Sequence, residues 1–365
     1  MIRQIEPWID KNELAELERV IRSTFVVEAE LTAEFEAMTR ELTGARHAIA
    51  ICNGTMALFV CLKALGIGEG DEVIVPDMTF VATANAVIMA GARPVLCEID
   101  PETFCMDASR AHGLVTKRTK AIMPVHLYGQ SADMVALRTF SDKYGLKIVE
   151  DAAQGVGVRF NGKHVGTFGD MGILSYYGNK TITCGEGGII LTDSDELAKT
   201  AYRLKNHGRD SKGTFVHEHI GFNFSFTEMQ AAIGISQMKK LGAITHKKQL
   251  IRQRYIEELS GIEGFKAVYI DSRCSPVFWF TSFLSENTDR LAESLQKDGI
   301  QTRRFFYPLH LQPCYADKKY VKNLNDTFEV SERIYRKGIS LPSSYLLTDA
   351  EQARVIEKIQ AYHSK

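Results

Sequence analysis

Residues 147–154 read Lys147-Ile148-Val149-Glu150-Asp151-Ala152-Ala153-Gln154 and follow a helical stretch from about Met134 to Tyr144. A short apolar run that closes on two acids, directly after an amphipathic helix, predicts a strand leaving the core. The same unit recurs upstream. Ala48–Ile51 leads into a helix over Thr55–Leu65, Glu72–Val75 leads into Ala82–Ala90, and apolar runs at Pro94–Cys97 and Ala121–Val125 follow. Strand–helix units of this length predict an α/β fold with a mainly parallel central sheet covered by helices on both faces. Reactive groups in such sheets gather beyond the carboxyl ends of the strands. That rule singles out Asn53-Gly54-Thr55, Asp77–Phe80, His126–Gln130 and Asp151–Gln154.

Outward from the sheet, apolar spacing predicts helices over 10–23 (Leu14, Leu17, Val20, Ile21) and 30–43 (Leu31, Phe35, Met38, Leu42). Two further helices are expected over Thr227–Leu241 and His246–Leu259. The second reads as a bridge to a smaller C-terminal α+β domain, so the chain divides into a large domain 1–245 and a small one 246–365.

With 44 Lys+Arg against 45 Asp+Glu, the net charge of −1 offers no basic excess for a nucleic acid. Seven cysteines with no C-x-x-C pair exclude zinc-ribbon and redox-pair signatures and argue against a disulfide framework. A reducing cytoplasm is the expected compartment. The start, Met1-Ile-Arg-Gln-Ile-Glu-Pro7, lacks the apolar region of a signal peptide. No apolar run nears the roughly 18 residues of a membrane span.

The chemistry centres on Ser175-Tyr-Tyr-Gly-Asn-Lys180-Thr-Ile-Thr-Cys-Gly-Glu-Gly-Gly188. Apolar runs at Ile173-Leu174 and Ile189–Leu191 bracket the loop, which places Lys180 over the sheet. A lysine used in covalent amine chemistry must be neutral at working pH, and partial burial provides that. Asp151 reads either as a helix N-cap or as a carboxylate partner for a pyridinium nitrogen. Lysine and acid together suggest pyridoxal 5′-phosphate. Gly54 and Thr55 open a helix whose free N–H groups suit a phosphate, and Ser175 adds a hydroxyl. Phe80 is either core packing or a surface for a planar ring. No G-x-G-x-x-G occurs, so a dinucleotide fingerprint is absent.

These motifs, with Gly70–Pro76, Pro124–Gln130, Gly178-Asn-Lys180, Gly185–Gly188, Gly221–Phe224 and Thr227–Gly234, resemble the DegT/DnrJ/EryC1/StrS sugar aminotransferases. Segments 166–170, 178–183 and 304–310 are most similar to the GDP-perosamine synthase branch. The resemblance implies an aspartate-aminotransferase-like fold and a pyridoxal-phosphate transaminase. It implies Lys180 as the Schiff-base lysine, Asp151 on the ring nitrogen, Gly54, Thr55 and Ser175 on the phosphate, Phe80 stacked on the ring and Gln154 near the 3-oxygen. Asn223 would reach the phosphate of a neighbouring subunit's cofactor, which makes a homodimer necessary. A lysine rather than a histidine at 180 implies amination rather than deoxygenation. L-Glutamate would donate the amine to a keto-sugar, a nucleotide-linked 4-keto-6-deoxyhexose. Another keto-sugar or cyclitol, or a non-catalytic regulator, are the alternatives. His126, Arg304 and His310 are candidate substrate contacts, each with a structural role as the alternative. The segments 24–30 and 224–226 depart from the family pattern.

Overall fold

The structure is a computed structural model that describes residues 1–210 and 215–364. Its main sheet has seven strands, in the spatial order His47–Ile51, Gly188–Thr192, Met171–Ser175, Lys147–Asp151, Thr119–Ile122, Glu72–Pro76, Arg93–Cys97. All neighbours pair in parallel except Gly188–Thr192, which runs antiparallel to both of its partners. Strands flanked by helices on both faces are buried throughout, which is why they read as continuous apolar runs. One apolar cluster gathers Ile49, Val73, Val149 and Ile173 with the helix Gly54–Ala64, and another gathers Ala50, Ile74, Ile148 and Leu174 on the opposite face.

The helices Lys11–Ser23 and Glu30–Thr43 form where the spacing predicts them. The first buries an unexpected face. Leu14 and Ile21 are exposed, whereas Glu13 is buried and accepts from Lys240 Nζ at 2.7 Å, Gln237 Nε2 at 2.8 Å and Ser236 Oγ at 3.0 Å. A buried carboxylate must be paired, and these three residues lie on the helix Glu228–Leu259. That helix is a correction: two helices were expected, and one of 32 residues forms. Thr227 and Gln230 make a reciprocal capping box at its start. Gly242 faces open space and Ile244 and Lys248 stay buried, so the face that packs continues through the expected break. The 245/246 division falls inside this helix.

Beyond it, Phe265–Ala267, Thr281–Ser285, Gly338–Leu341 and Arg303–Arg304 form a four-stranded antiparallel sheet with its own apolar cluster. This part returns to the strand ends of the main sheet. Leu309 N–H donates to the Asp77 carbonyl at 2.7 Å, and Cys274–Ser275 pairs with Arg159–Phe160.

Candidate active site

Each candidate at the strand mouths is placed by a local rule. Asn53 caps the helix Gly54–Ala64 by accepting from Met56 N–H at 3.0 Å, which leaves the first-turn N–H groups of Gly54 and Thr55 facing outward. Ser175 ends its strand beside them. A Cβ on Gly54 would lie 3.1 Å from Ser175 Cβ and 3.3 Å from its Oγ. A Cβ on Gly188 would lie 2.7 Å from the Asn53 carbonyl. Two glycines and a serine thus close a tight cradle at a helix N-terminus, the arrangement that receives a phosphate.

Asp151 is 5% exposed. Its Oδ2 accepts from Thr83 Oγ1 at 2.7 Å and its Oδ1 from Ala153 N–H at 3.2 Å. Turns rather than a helix follow it, so the N-cap alternative fails. Burial raises its carboxyl above the usual range, with Thr83, Ala153, Lys180 and His126 pulling the other way. No cation contacts this carboxylate among the described residues, and a protonated ring nitrogen would supply one.

Lys180 is half-buried, and its Nζ lies 4.1 Å from the centre of the Trp279 ring. The amine has no hydrogen bond or ion pair among the described residues. Burial lowers it from the usual lysine value to about 8, Asp151 opposing the shift and Arg303 adding to it. Phe80 is 56% exposed, which excludes the core-packing alternative, and it tilts against Phe306 at 6.0 Å. A cleft of about 300 Å³ opens there, lined by Thr79, Phe80, Tyr128, Arg303 and Tyr307 among others. Gln154 is buried, with its Oε1 holding Tyr128 N–H at 2.7 Å, so the tyrosine loop and the Asp151 turn move as one. Asn223 is exposed, next to Phe224, whose carbonyl accepts from Cys52 N–H at 3.0 Å. A phosphate cradle, a buried uncompensated carboxylate, a depressed lysine and an open aromatic face fit pyridoxal 5′-phosphate.

The three candidate substrate contacts each have structural partners. His126 is fully buried, with Nε2 on Glu150 Oε2 at 2.9 Å and Nδ1 accepting from Ala132 N–H at 3.2 Å. Glu150 also accepts from the N–H groups of Gly166, Phe168 and Gly169, so the pair organises a loop. His310 lies between Asp77 Oδ2 at 2.8 Å and Glu332 Oε1 at 3.5 Å, which clamps the C-terminal part onto a strand end. Arg304 pairs with Asp289 and donates to the carbonyls of Tyr335 and Arg336. The ring nitrogens of both histidines are engaged, whereas Arg304 keeps an Nε unpartnered among the described residues and lines the cleft beside Phe80. Thr83, Tyr128, Arg303 and Trp279 were not singled out from sequence. A hydroxyl in the first turn after Thr79 could have pointed to Thr83, whereas Trp279 meets the lysine loop from 100 positions away and gives no local signal.

Comparison with known proteins agrees with this geometry. Residues 7–360 match the DegT/DnrJ/EryC1/StrS aminotransferase family. The chain is 37% identical to the GDP-perosamine synthase of Caulobacter vibrioides over 357 residues, 96% of this chain and 95% of that protein. It is also 36% identical to a pleiotropic regulatory protein of Geobacillus stearothermophilus over 352 residues, 95% of this chain and 93% of that protein. Among solved structures it is similar to S. venezuelae DesV in complex with a ketimine intermediate, with TM-score 0.92 and 32% identity, covering 97% of this chain and 95% of that one. The chain belongs to the DegT/DnrJ/EryC1/StrS aminotransferase family and is a pyridoxal-phosphate-dependent transaminase.

Proposed function

We propose that this enzyme moves the amino group of L-glutamate to a keto-sugar, a nucleotide-linked 4-keto-6-deoxyhexose, in surface-polysaccharide or glycoside biosynthesis. The observation that carries this reading is Lys180. Its amine has no hydrogen-bond or ion-pair partner among the described residues and is lowered to about 8, and it follows the loop from the phosphate cradle. The similarity to a GDP-perosamine synthase supports the sugar class.

When bound, the cofactor supplies an electrophilic carbon and an electron-accepting ring. Gly54, Thr55 and Ser175 would hold its phosphate, Phe80 would offer a face to its ring, Gln154 would lie near its oxygen and Asp151 would keep its nitrogen charged. Lys180 Nζ, half neutral near pH 8, accepts the proton from the donor's α-carbon and returns one to the sugar carbon in the reverse sequence. Phe80, Tyr128 and Phe306 line the cleft of about 300 Å³ beside the strand ends.

A homodimer with Asn223 on the partner's phosphate belongs to the same proposal. Phe25, Val26 and Val27 are exposed, and the Val27–Thr227 bridge brings exposed Met229 alongside. Apolar side chains grouped in this way suit a second copy. A large unit 1–245 and a small unit 246–365 are proposed as the two domains, supported by the separate C-terminal sheet. Cytoplasmic residence fits seven free cysteines, and no helix among the described residues is long and apolar enough to cross a membrane.

The test is direct. Glutamate added to the cofactor-loaded protein should change its absorbance and release 2-oxoglutarate. A panel of keto-sugar nucleotides should then gain an amine by mass spectrometry. Unchanged absorbance with no 2-oxoglutarate would refute the proposal and favour a regulatory role.

A further inference from the structure

We infer that Trp279 is a positioning residue for Lys180, its ring face holding the amine in the protonated form and its indole fixing the backbone beside it. The inference rests on the proposed role of Lys180, and two contacts and one absence carry it. The Lys180 Nζ sits 4.1 Å over the ring, the indole N–H donates to the Asn179 carbonyl at 2.6 Å, and no other polar partner holds the amine among the described residues. A transferring lysine must hold a proton in one half of its cycle and release it in the other. Burial favours only the neutral form, whereas an aromatic face favours the charged one.

The ring itself is held on every side. Trp279 is 3% exposed and stacks on Phe280 at 3.8 Å. Its carbonyl accepts from Lys248 Nζ at 3.1 Å, and that buried lysine also donates to the Ser343 carbonyl at 2.8 Å. Across the chain, Gly129 has no room for a side chain: a Cβ there would lie 1.9 Å from the Val277 carbonyl oxygen and 3.0 Å from the Trp279 nitrogen. The long helix is thereby linked through one indole to the lysine loop. The charged groups that face this amine from the packed elements are Asp151 from the central sheet and Arg303 from the C-terminal sheet, with Lys248 on the Trp279 carbonyl.

The test reads Lys180 itself, without turnover. The full-length chain, freed of cofactor, is labelled with trinitrobenzenesulfonate across a pH series, and modification at Lys180 is read by peptide mass spectrometry. Trp8 is the only other tryptophan, so a Trp8→Phe background lets fluorinated tryptophan report on Trp279 alone with little change in shape. Fluorination drains the ring face. The labelling midpoint should fall stepwise, by about one pH unit from the parent ring to a trifluoro ring. Trp279→Phe should keep much of the parent midpoint and Trp279→Met should lose it. A midpoint indifferent to fluorination would overturn the inference, as would Trp279→Met matching the parent. Turnover that survives in Lys180→Ala would instead refute the lysine's assigned role, a separate failure.

Discussion

Replacing Gly188 by alanine tests the phosphate cradle at its tightest point. The new Cβ would lie 2.7 Å from the Asn53 carbonyl carbon and oxygen and 2.9 Å from Gly54 N. The strand cannot yield, because Gly188 pairs with Ile51 on one side and Ser175 on the other. The start of the helix Gly54–Ala64 must therefore move outward by several tenths of an ångström. Overpacking of this kind costs about 1–3 kcal/mol. In a chain of this size that is a fall of about 1–4 °C in Tm. The same shift withdraws the Gly54 and Thr55 N–H groups from the phosphate, so cofactor affinity should drop by about 10- to 100-fold. Titrating cofactor against protein absorbance gives the affinity, and thermal unfolding with and without cofactor gives the rest. Gly178→Ala is the control, since its Cβ would meet only the Gly185 carbonyl at an ordinary 3.7 Å. If Gly188→Ala bound cofactor as tightly as Gly178→Ala, the cradle would be wrongly placed.

Other consequences can be checked independently. Lys180→Ala should bind cofactor without linking to it and show no turnover. Mixed with Asn223→Ala under conditions that exchange subunits, it should recover about a quarter of parental activity if sites are shared, and none if each subunit is self-sufficient. Glu150→Gln places an amide N–H₂ against backbone donors that now meet a carboxylate, so it should lose about 2–4 kcal/mol in urea unfolding; a loss under 1 kcal/mol would undo the structural role assigned to His126 and Glu150. Burial lowers Lys248 to about 7. Above that pH the unfolded chain binds more protons than the folded one, so stability should rise from pH 7 toward 10 relative to Lys248→Met. A flat difference between the two unfolding series would contradict it.

Much of the central sheet was legible because a strand covered on both faces carries an apolar run between its ends. Glu72–Val75 and Lys147–Asp151 therefore stood out, and each ends within a residue of its expected place. The long helix was misread at Gly242–Thr245, where local propensity dips but buried Ile244 and Lys248 continue the packing face. The first helix was misread for a related reason. Periodicity assigned Leu14 to the core, whereas the partners of Glu13 lie more than 220 positions away. His126 looked like a site residue because it follows a strand end, and His310 because it closes the family-like segment 304–310. Their engagement by Glu150 and by Asp77 and Glu332 depends on how the chain returns.

By itself, the sequence determined the class of chemistry. A lysine in a glycine-rich loop, an acid at a strand end and a helix opening on Gly54-Thr55 are local features, each readable within a few residues. Tertiary structure decided how reactive that lysine is and which polar groups remain free to act. Burial, the Trp279 face and the uncompensated Asp151 carboxylate all depend on segments far apart in the chain meeting in one place. Desolvation and pairing belong to an environment rather than to a residue, so no reading of neighbours along the chain contains them.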